Sequence, residues 1–397
     1  MDQSRYLQMV RTNQFERVYR RWKERKVTQQ EAAAQLEMSE RTFRRYVMRY
    51  RDEGVAGLLD KRLGRRSPLR APRQEVDVLV ALYRERYCRR NIRHCYDAYV
   101  EEHGGERSYS WVKERLHGAG VVARGRRRGK RRELRERREQ EGEMIHQDAS
   151  THQWVPGKVW DLVVTMDDAT GKIYSAFFCA QEGTWSSMRG VREVLEGKGI
   201  FSSFYSDRGS HYWNTPRAGG KVDKKNLTQF GRAMAELGVV MIPGYSPEAR
   251  GRSERMFGTL QGRLPAELEE RGIEGMEEAN RYLRESFVDD FNERFSVEAA
   301  EDGSAFVPLL AVGLEDILCL KERRVVGNDN CVRYRGRNLQ IPQVEDRHHF
   351  VRAKVMVHEY EDGRMAVVHG RKRKLGGYGR AGNLIDEVGE IRKAAGE

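Results

Sequence analysis

The chain has 397 residues, 39% of them apolar and 34% charged, with 73 Lys and Arg against 60 Asp and Glu and a formal charge of +13. It contains no run of about eighteen apolar residues, which excludes a membrane-spanning helix, and Met1-Asp2-Gln3-Ser4 lacks the charged-then-apolar layout of a secretory signal. Five scattered cysteines (Cys88, Cys95, Cys179, Cys319 and Cys331) argue against a disulfide framework and for a reducing cytoplasm. Cys88, His94, Cys95 and His103 lie close in sequence but match no zinc-ligand spacing, so they read as small groups on a helical domain.

The charge is uneven. Residues 1–140 hold 37 Lys and Arg against 20 Asp and Glu, while the remainder holds 36 against 40. A basic first third on a near-neutral body suits a polyanion. That third lacks the aromatic-rich amphipathic face a membrane binder needs, so nucleic acid is the expected partner and a membrane is not.

Thr28 followed by Glu31 is a capping box that starts a helix with Ala32, Ala33 and Leu36 on its apolar face. Ser39 caps a second helix, which buries Phe43, Tyr46 and Val47 and leaves Arg41, Thr42, Arg44, Arg45 and Arg49 pointing elsewhere. Short helix, tight turn and basic second helix make a helix-turn-helix, whose second helix enters the major groove of DNA. A plain helical hairpin with a solvated basic face is the competing reading. Gly54, Gly57, Gly64, Pro68 and Pro72 predict an extended linker. A further helical region carries Val76, Leu79, Val80 and Tyr83 on one stripe. Ser110 is read as the cap of a last helix with Lys113 and Arg115 exposed, either a second helix-turn-helix or a spacer. Ten of the fifteen residues from Arg124 to Arg138, including Arg126, Arg127, Arg128, Lys130, Arg131 and Arg132, are cationic. Such a run forms no core and reads as a phosphate-contacting linker.

After Glu143 the pattern predicts three antiparallel strands (Met144–Asp148, Trp160–Met166 and Lys172–Ala180), then helix, strand (Phe201–Ser206), helix, strand (Val239–Ile242) and helix. Phe257, Leu260, Leu264 and Leu268 form the last helix's stripe, with Pro265 ending or kinking it. Glu254, three residues before Phe257, is expected to extend that inward face. Asp148 and Asp207 each end a strand. Three carboxylates converging from separate elements suit two-metal phosphoryl chemistry, which needs hard oxygen ligands. Asp167 and Asp168 compete, but Asp-Asp-Ala-Thr-Gly is turn chemistry. Glu248 suits a helix dipole. Arg208, Arg250, Arg252 and Arg255 surround the acids as candidate DNA-backbone clamps, and His211 reads as a loop histidine.

His146-Gln147-Asp148-Ala149-Ser150, Met166-Asp167-Asp168-Ala169-Thr170-Gly171, Tyr205-Ser206-Asp207-Arg208-Gly209-Ser210 and the Ser246-Pro247…Glu254-Arg255 block resemble the integrase-core transposases of bacterial insertion sequences, a DDE class related to retroviral integrases. The resemblance spans nearly the whole chain. It implies an RNase H-like catalytic core that uses magnesium (or manganese), two ions per site. It also implies cleavage of transposon ends, transfer of the 3′-OH to target DNA, and a homo-oligomer on paired ends. Matched motif to motif, the catalytic and metal-binding acids fall on Asp148, Asp207 and Glu254. Two departures stand out. Asp207 and Glu254 are further apart than usual, the excess lying in Trp213 to Lys225 as a loop insertion, and Ala149 replaces a frequent Gly.

Glu277 to Phe295 predicts a long packing helix, and residues 322–375 predict short strands closing as a small β-barrel, beside Arg371-Lys372-Arg373-Lys374. The expected architecture is therefore multidomain. An all-α helix-turn-helix domain (1–60), a linker (61–72), a second helical domain (73–122) and a basic linker (123–140) precede an α/β RNase H-like core (141–300). A connector (301–321), a β-barrel (322–376) and a mobile tail (377–397) follow. The expected function is DNA transposition by a cytoplasmic, nucleoid-associated enzyme. The alternative is a transposase-derived DNA-binding regulator without catalysis; an RNA nuclease would leave the helix-turn-helix unexplained.

Overall fold

Thr28 and Ser39 each sit in extended backbone at the start of a helix and turn their hydroxyls onto its first free N–H groups. Thr28 Oγ1 accepts from Glu31 N at 3.2 Å, and the Glu31 carboxylate accepts in return from Thr28 N at 2.7 Å. Ser39 Oγ accepts from Thr42 N at 3.2 Å. These caps open α2 (Gln29–Gln35) and α3 (Glu40–Glu53), and α1 (Gln3–Lys23) precedes them. The computed structural model describes residues 3–60, 70–125, 135–217, 220–245, 247–309, 313–344, 347–370 and 373–386. They gather into two compact bodies, Met1–Ala81 and Leu82–Glu397.

In the first body, Phe15 and Val18 of α1 pack with Ala32 and Ala33 of α2 and Phe43 and Val47 of α3. The alanines let α2 approach closely. Glu37, in the turn between α2 and α3, holds a positive φ of 53° that ordinary side chains rarely adopt. The sequence patterns give no sign of α1, whose buried apolar residues among those described are Phe15 and Val18. Gly54–Leu58 forms a 3₁₀ turn where a linker was expected. The division between the two bodies falls within α4 (Arg73–Glu85), where Leu79 and Tyr83 of the expected stripe are buried.

In the second body, α5 (Ile92–Glu101) and α6 (Tyr109–Gly118) come first. The α6 cap is Ser108, which accepts from Trp111 N at 3.3 Å, and not Ser110. A five-stranded sheet follows: β1 (Met144–Val155), β2 (Lys158–Asp167), β3 (Ile173–Cys179), β4 (Ser203–Ser206) and β5 (Val240–Pro243), in the order β3-β2-β1-β4-β5. β1, β2 and β3 are antiparallel, while β4 and β5 run parallel to β1. This is the expected mixed α/β core, but β1 runs on to Val155, which corrects the expectation that Asp148 ends a strand: it lies within β1, paired with Val164.

α7 (Thr184–Gly197) and α8 (Gln229–Glu236) cover one face through a core containing Ile145, Val191, Phe204, Tyr212 and Phe230. α9 (Pro247–Gln261), α10 (Leu264–Glu270), α11 (Met276–Tyr282) and α12 (Val288–Phe295) cover the other, with Leu162, Val164, Met166, Phe257, Leu260 and Phe291 between the layers. Pro265 stands in the first turn of α10, where its missing N–H costs nothing. A π-helical turn, Leu283–Phe287, joins α11 to α12, so the long helix expected there is continuous but irregular. α5 docks on this layer: Arg90 pairs with Glu270, His94 Nε2 lies 3.2 Å from Glu267, and Arg263 pairs with Asp97.

After α13 (Leu314–Ile317), β6 (Leu320–Val325), β9 (Lys354–Glu359), β10 (Met365–His369), β11 (Arg373–Tyr378) and β12 (Leu384–Asp386) pair in the order β12-β11-β10-β9-β6. β7 (Cys331–Tyr334) and β8 (Arg337–Gln340) form a separate hairpin on the same core. This corrects the expected barrel: among the described residues the sheet is open. Period-2 alternation reveals strands but not which edges pair. Chain expected to form a mobile tail supplies β12 and the end of β11. Arg371 and Lys372 lie outside the described residues.

Candidate active site and nucleic-acid interface

Parallel pairing brings two of the acids together. β1 and β4 pair at Met144–Ser203, Ile145–Phe204 and His146–Tyr205. Two residues beyond the last pair on each strand stand Asp148 and Asp207. Alternation sets their face. Asp148 lies opposite Val164, a core residue beneath α9, and His146 lies opposite Met166 of the same core. The ring of Tyr205 sits 4.7 Å from that of His146, so Asp207 follows it onto the same face. Both acids are half-buried.

A buried polar cluster backs them from the opposite face. Gln147 Nε2 donates to Thr165 Oγ1 at 2.8 Å and to Ser187 O at 3.2 Å. Its Oε1 accepts from the Tyr212 hydroxyl at 2.8 Å. Tyr212 also donates to Glu182 at 3.2 Å, and His211 Nε2 lies 3.3 Å from the same carboxylate. Burial, followed by the negative charge of Glu182, Asp148 and Asp207, pushes the Tyr212 hydroxyl well above its ordinary pKa. Tyr212 is therefore a permanent donor beside the acids. Sequence reasoning missed it and Glu182. The only local signal was the Gly183 cap just after Glu182, which says nothing about chemistry.

The Asp167–Asp168 pair is structural. Asp167 is fully buried and accepts from Gly142 N at 2.9 Å, Thr170 N at 2.8 Å and Thr170 Oγ1 at 2.9 Å. Burial raises its pKa against those bonds. Asp168, equally buried, accepts from His146 Nε2 at 2.7 Å and Arg138 N at 2.8 Å, and pairs with Arg135 and Arg252. Burial alone would raise its pKa, but His146, Arg252 and the Arg138 N–H together hold it well below the carboxylate range.

Glu254 is a correction: it is exposed. The buried residues of this part of α9 are Ser253, Met256, Phe257 and Leu260. A three-residue step falls about 60° short of a full turn. Counting back from Phe257, it rotates Glu254 away from Met256 and out of the stripe. α9 nonetheless runs along β1 on the acids' face, anchored by Arg252 to Asp168 and by Gln261 Nε2 to Ser150 Oγ at 2.9 Å. Glu254 lies between those anchors. Among the described residues, no three acid, histidine or cysteine side chains gather closely enough to hold a metal ion.

Several expected DNA contacts are otherwise engaged. Arg252 is half-buried, pairs with Asp168 and donates to the carbonyl of Arg135, so it is not a free clamp. Arg208 donates to Gly220 O at 2.9 Å and lies over the Tyr245 ring. Thr42 bonds back to Ser39, and Arg115 is half-buried against Trp111. Arg41, Arg44 and Arg45 are exposed on α3, as are Lys113 on α6 and Arg255 on α9. Arg126, Arg127, Arg128, Lys130, Arg131 and Arg132 lie outside the described residues, as does the side chain of Arg250.

Residues 18–76 match the family model of the winged helix-turn helix. The chain is 32% identical over 348 residues to y4bF of Sinorhizobium fredii, named as a transposase, covering 86% of this chain and 75% of that protein. It is 36% identical over 161 residues to the transposase for insertion sequence IS1202 of Streptococcus pneumoniae, covering 41% of this chain and 34% of that protein. Similar solved structures include the simian T-cell lymphotropic virus intasome bound to a PP2A regulatory subunit (14% identity, TM-score 0.34, 74% of this chain and 97% of that one). The dimeric HTLV-2 integrase catalytic core with magnesium is another (13% identity, TM-score 0.30, 41% of this chain and 93% of that one). Structural likeness at that level carries no functional weight.

Proposed function

The chain belongs to the transposases, and we propose that it is one of the DDE class, cutting transposon ends and joining the 3′-OH to target DNA with divalent metal. The observation that carries this reading is the placement of Asp148 and Asp207 at equivalent positions on adjacent parallel strands, on the face that α9 covers with Glu254. Carboxylate oxygens are the ligands magnesium prefers, and two half-buried carboxylates, one within β1 and one just past the end of β4, fit such an ion. Asp148, Asp207 and Glu254 would hold it. Two bound ions would activate the attacking oxygen and stabilise the leaving one.

The remaining work falls to the chain's own residues. Gln147, Tyr212 and Glu182 brace this part of the sheet from behind, which keeps Asp148 and Asp207 in one geometry. Arg255, exposed one residue beyond Glu254, is placed to meet a backbone phosphate. The helix-turn-helix holds the duplex through α3. Since such enzymes act on paired ends, a homo-oligomer on double-stranded DNA is part of the proposal.

The test is direct. Full-length protein with magnesium and DNA carrying the sequences that flank its gene should produce nicks and joined products, and chelator should stop both while leaving DNA binding intact. Absence of nicks with bound, magnesium-supplied protein would sink the assignment. The second reading, a DNA-binding regulator, is favoured by one observation: the three acids do not form a metal-holding cluster among the described residues. It expects binding without products under every metal condition.

DNA affinity should fall steeply with salt, because phosphate neutralisation releases counterions. Arg45→Ala on the outer face of α3 is expected to weaken binding by ~1–3 kcal/mol if it reads a base, or to lower the salt slope by about 1 if it meets a phosphate. Anisotropy titrations at several salt concentrations separate the two. An unchanged affinity and slope would remove α3 from the interface.

A further inference from the structure

Between Trp213 and Thr228 the chain departs from the core and returns, carrying Arg217, Lys221, Lys224 and Lys225 against a single carboxylate, Asp223. All four cations are exposed, and none forms an ion pair among the described residues. Asp223 is turned onto its own segment, accepting from Lys225 N at 2.8 Å, Asn226 N at 3.1 Å and Asn226 Nδ2 at 2.7 Å. Four like charges within nine residues repel one another. Asp223 offsets only part of that repulsion, whereas a polyanion would offset the rest.

The segment is also held in place. Asp223 N donates to Asn214 O at 2.7 Å, and Asn214 Nδ2 donates to Asn226 O at 2.7 Å, closing its base. Val222 is buried in the core that contains Tyr212, Trp213 and Phe230. Its N–H donates to the Tyr245 hydroxyl at 3.3 Å. Arg208, the residue after Asp207, donates to Gly220 O and lies 5.2 Å over the Tyr245 ring. Trp213 Nε1 donates to Ser206 Oγ at 3.1 Å, just before Asp207. The charged hairpin is therefore tied on both sides to the backbone that carries an active-site acid, and its cations are presented from an ordered base.

We infer that Arg217, Lys221, Lys224 and Lys225 form a DNA-backbone site that grips a duplex next to the cutting centre. The contact is to phosphates, because separate cationic groups on an exposed hairpin position a duplex without reading its sequence. The inference rests on the transposase reading for the identity of the polyanion. Two duplexes share this chemistry, the transposon end and the target.

Lysine acetylation of the full chain, read residue by residue by mass spectrometry, tests it with chelator present so that no turnover occurs. Lys221, Lys224 and Lys225 should be protected several-fold on DNA. Protection by a duplex bearing the gene's flanking sequence alone assigns the site to the end. Protection that appears only when an unrelated plasmid is added assigns it to the target. Unchanged acetylation with either DNA, on protein shown by gel shift to be bound, overturns the site. The variant K221Q/K224Q/K225Q should melt like the wild type, since all three side chains are exposed. Its log-affinity against log-salt slope should drop by about 2–3, at roughly 0.9 for each phosphate no longer neutralised; an unaltered slope also overturns the site. Protection without any nick or joint in magnesium would leave this site standing and remove the transposase reading instead.

Discussion

Replacing Asp207 by Asn is expected to abolish strand nicking and joining while leaving DNA binding unchanged. The substitution keeps the shape of the side chain and removes the negative charge. One amide bond at the strand end survives it, since Gly209 N donates to Asp207 Oδ1 at 2.9 Å and the Asn carbonyl can still accept. The lost group is a hard, charged oxygen at the end of β4, beside Asp148. Loss of an outer partner of a metal ligand costs about 10–100-fold; loss of the ligand itself should cost more, beyond the detection limit of a nicking assay. Asp148→Asn should match it. Glu254→Gln and Glu182→Gln then discriminate the third acid. The proposal expects Glu254→Gln to be as inactive as Asp207→Asn, and Glu182→Gln to retain part of the activity because Glu182 acts through Tyr212. Undiminished nicking by Asp207→Asn would end the two-metal proposal, and the reverse order of the two glutamates would move the third ligand to Glu182.

The second large effect is on stability. Asp168→Ala removes the one carboxylate that Arg135, Arg252 and His146 share, at a position with no solvent exposure. Removing one partner of a buried ion pair leaves the other uncompensated and costs about 3–5 kcal/mol. In a body of this size that corresponds to a fall in melting temperature of roughly 10 °C. The network joins three elements: the entry to β1 through Arg135 and Arg138, the β2–β3 turn through Asp168 itself, and α9 through Arg252. The same loss should therefore loosen the helix that carries Glu254. Since the folded pKa of Asp168 lies below its unfolded value, its stabilisation is complete above the ordinary carboxylate range and is lost as pH falls from there toward the folded value. The wild type should thus lose stability more steeply than Asp168→Ala on acidification below about pH 4. Thermal melts of both proteins across that range check the sign; equal melting temperatures at neutral pH would show that the network contributes nothing.

Asp168 also marks where reading a sequence stops. Asp-Asp-Ala-Thr-Gly is turn chemistry, and Asp167 behaves accordingly, capping Thr170 three residues away. Nothing near Asp168 in sequence announces that Arg252, 84 residues later, closes on it. The same separation misassigned Arg252 as a DNA clamp. The inward placement of Glu254 failed for another reason. The stripe of Phe257, Leu260 and Leu264 was correct, but its centre lies toward Met256, so a step of three residues led outward. The expected barrel failed because alternation marks strands without marking partners.

What the sequence determined by itself is what local physics determines. The capping hydroxyls of Thr28 and Ser39, the helix-turn-helix that follows from them, the order of strands and helices in the core, and the motifs that place this chain among the transposases were all legible within a few residues. Only the tertiary structure decided that Asp148, within β1, and Asp207, just past the end of β4, stand at equivalent positions on one face, that Glu182 and Tyr212 stand behind them, and that the Trp213–Lys225 insertion is tied beside Asp207. Those relations depend on strand pairing and packing between distant segments, which the periodicity of any single segment does not encode.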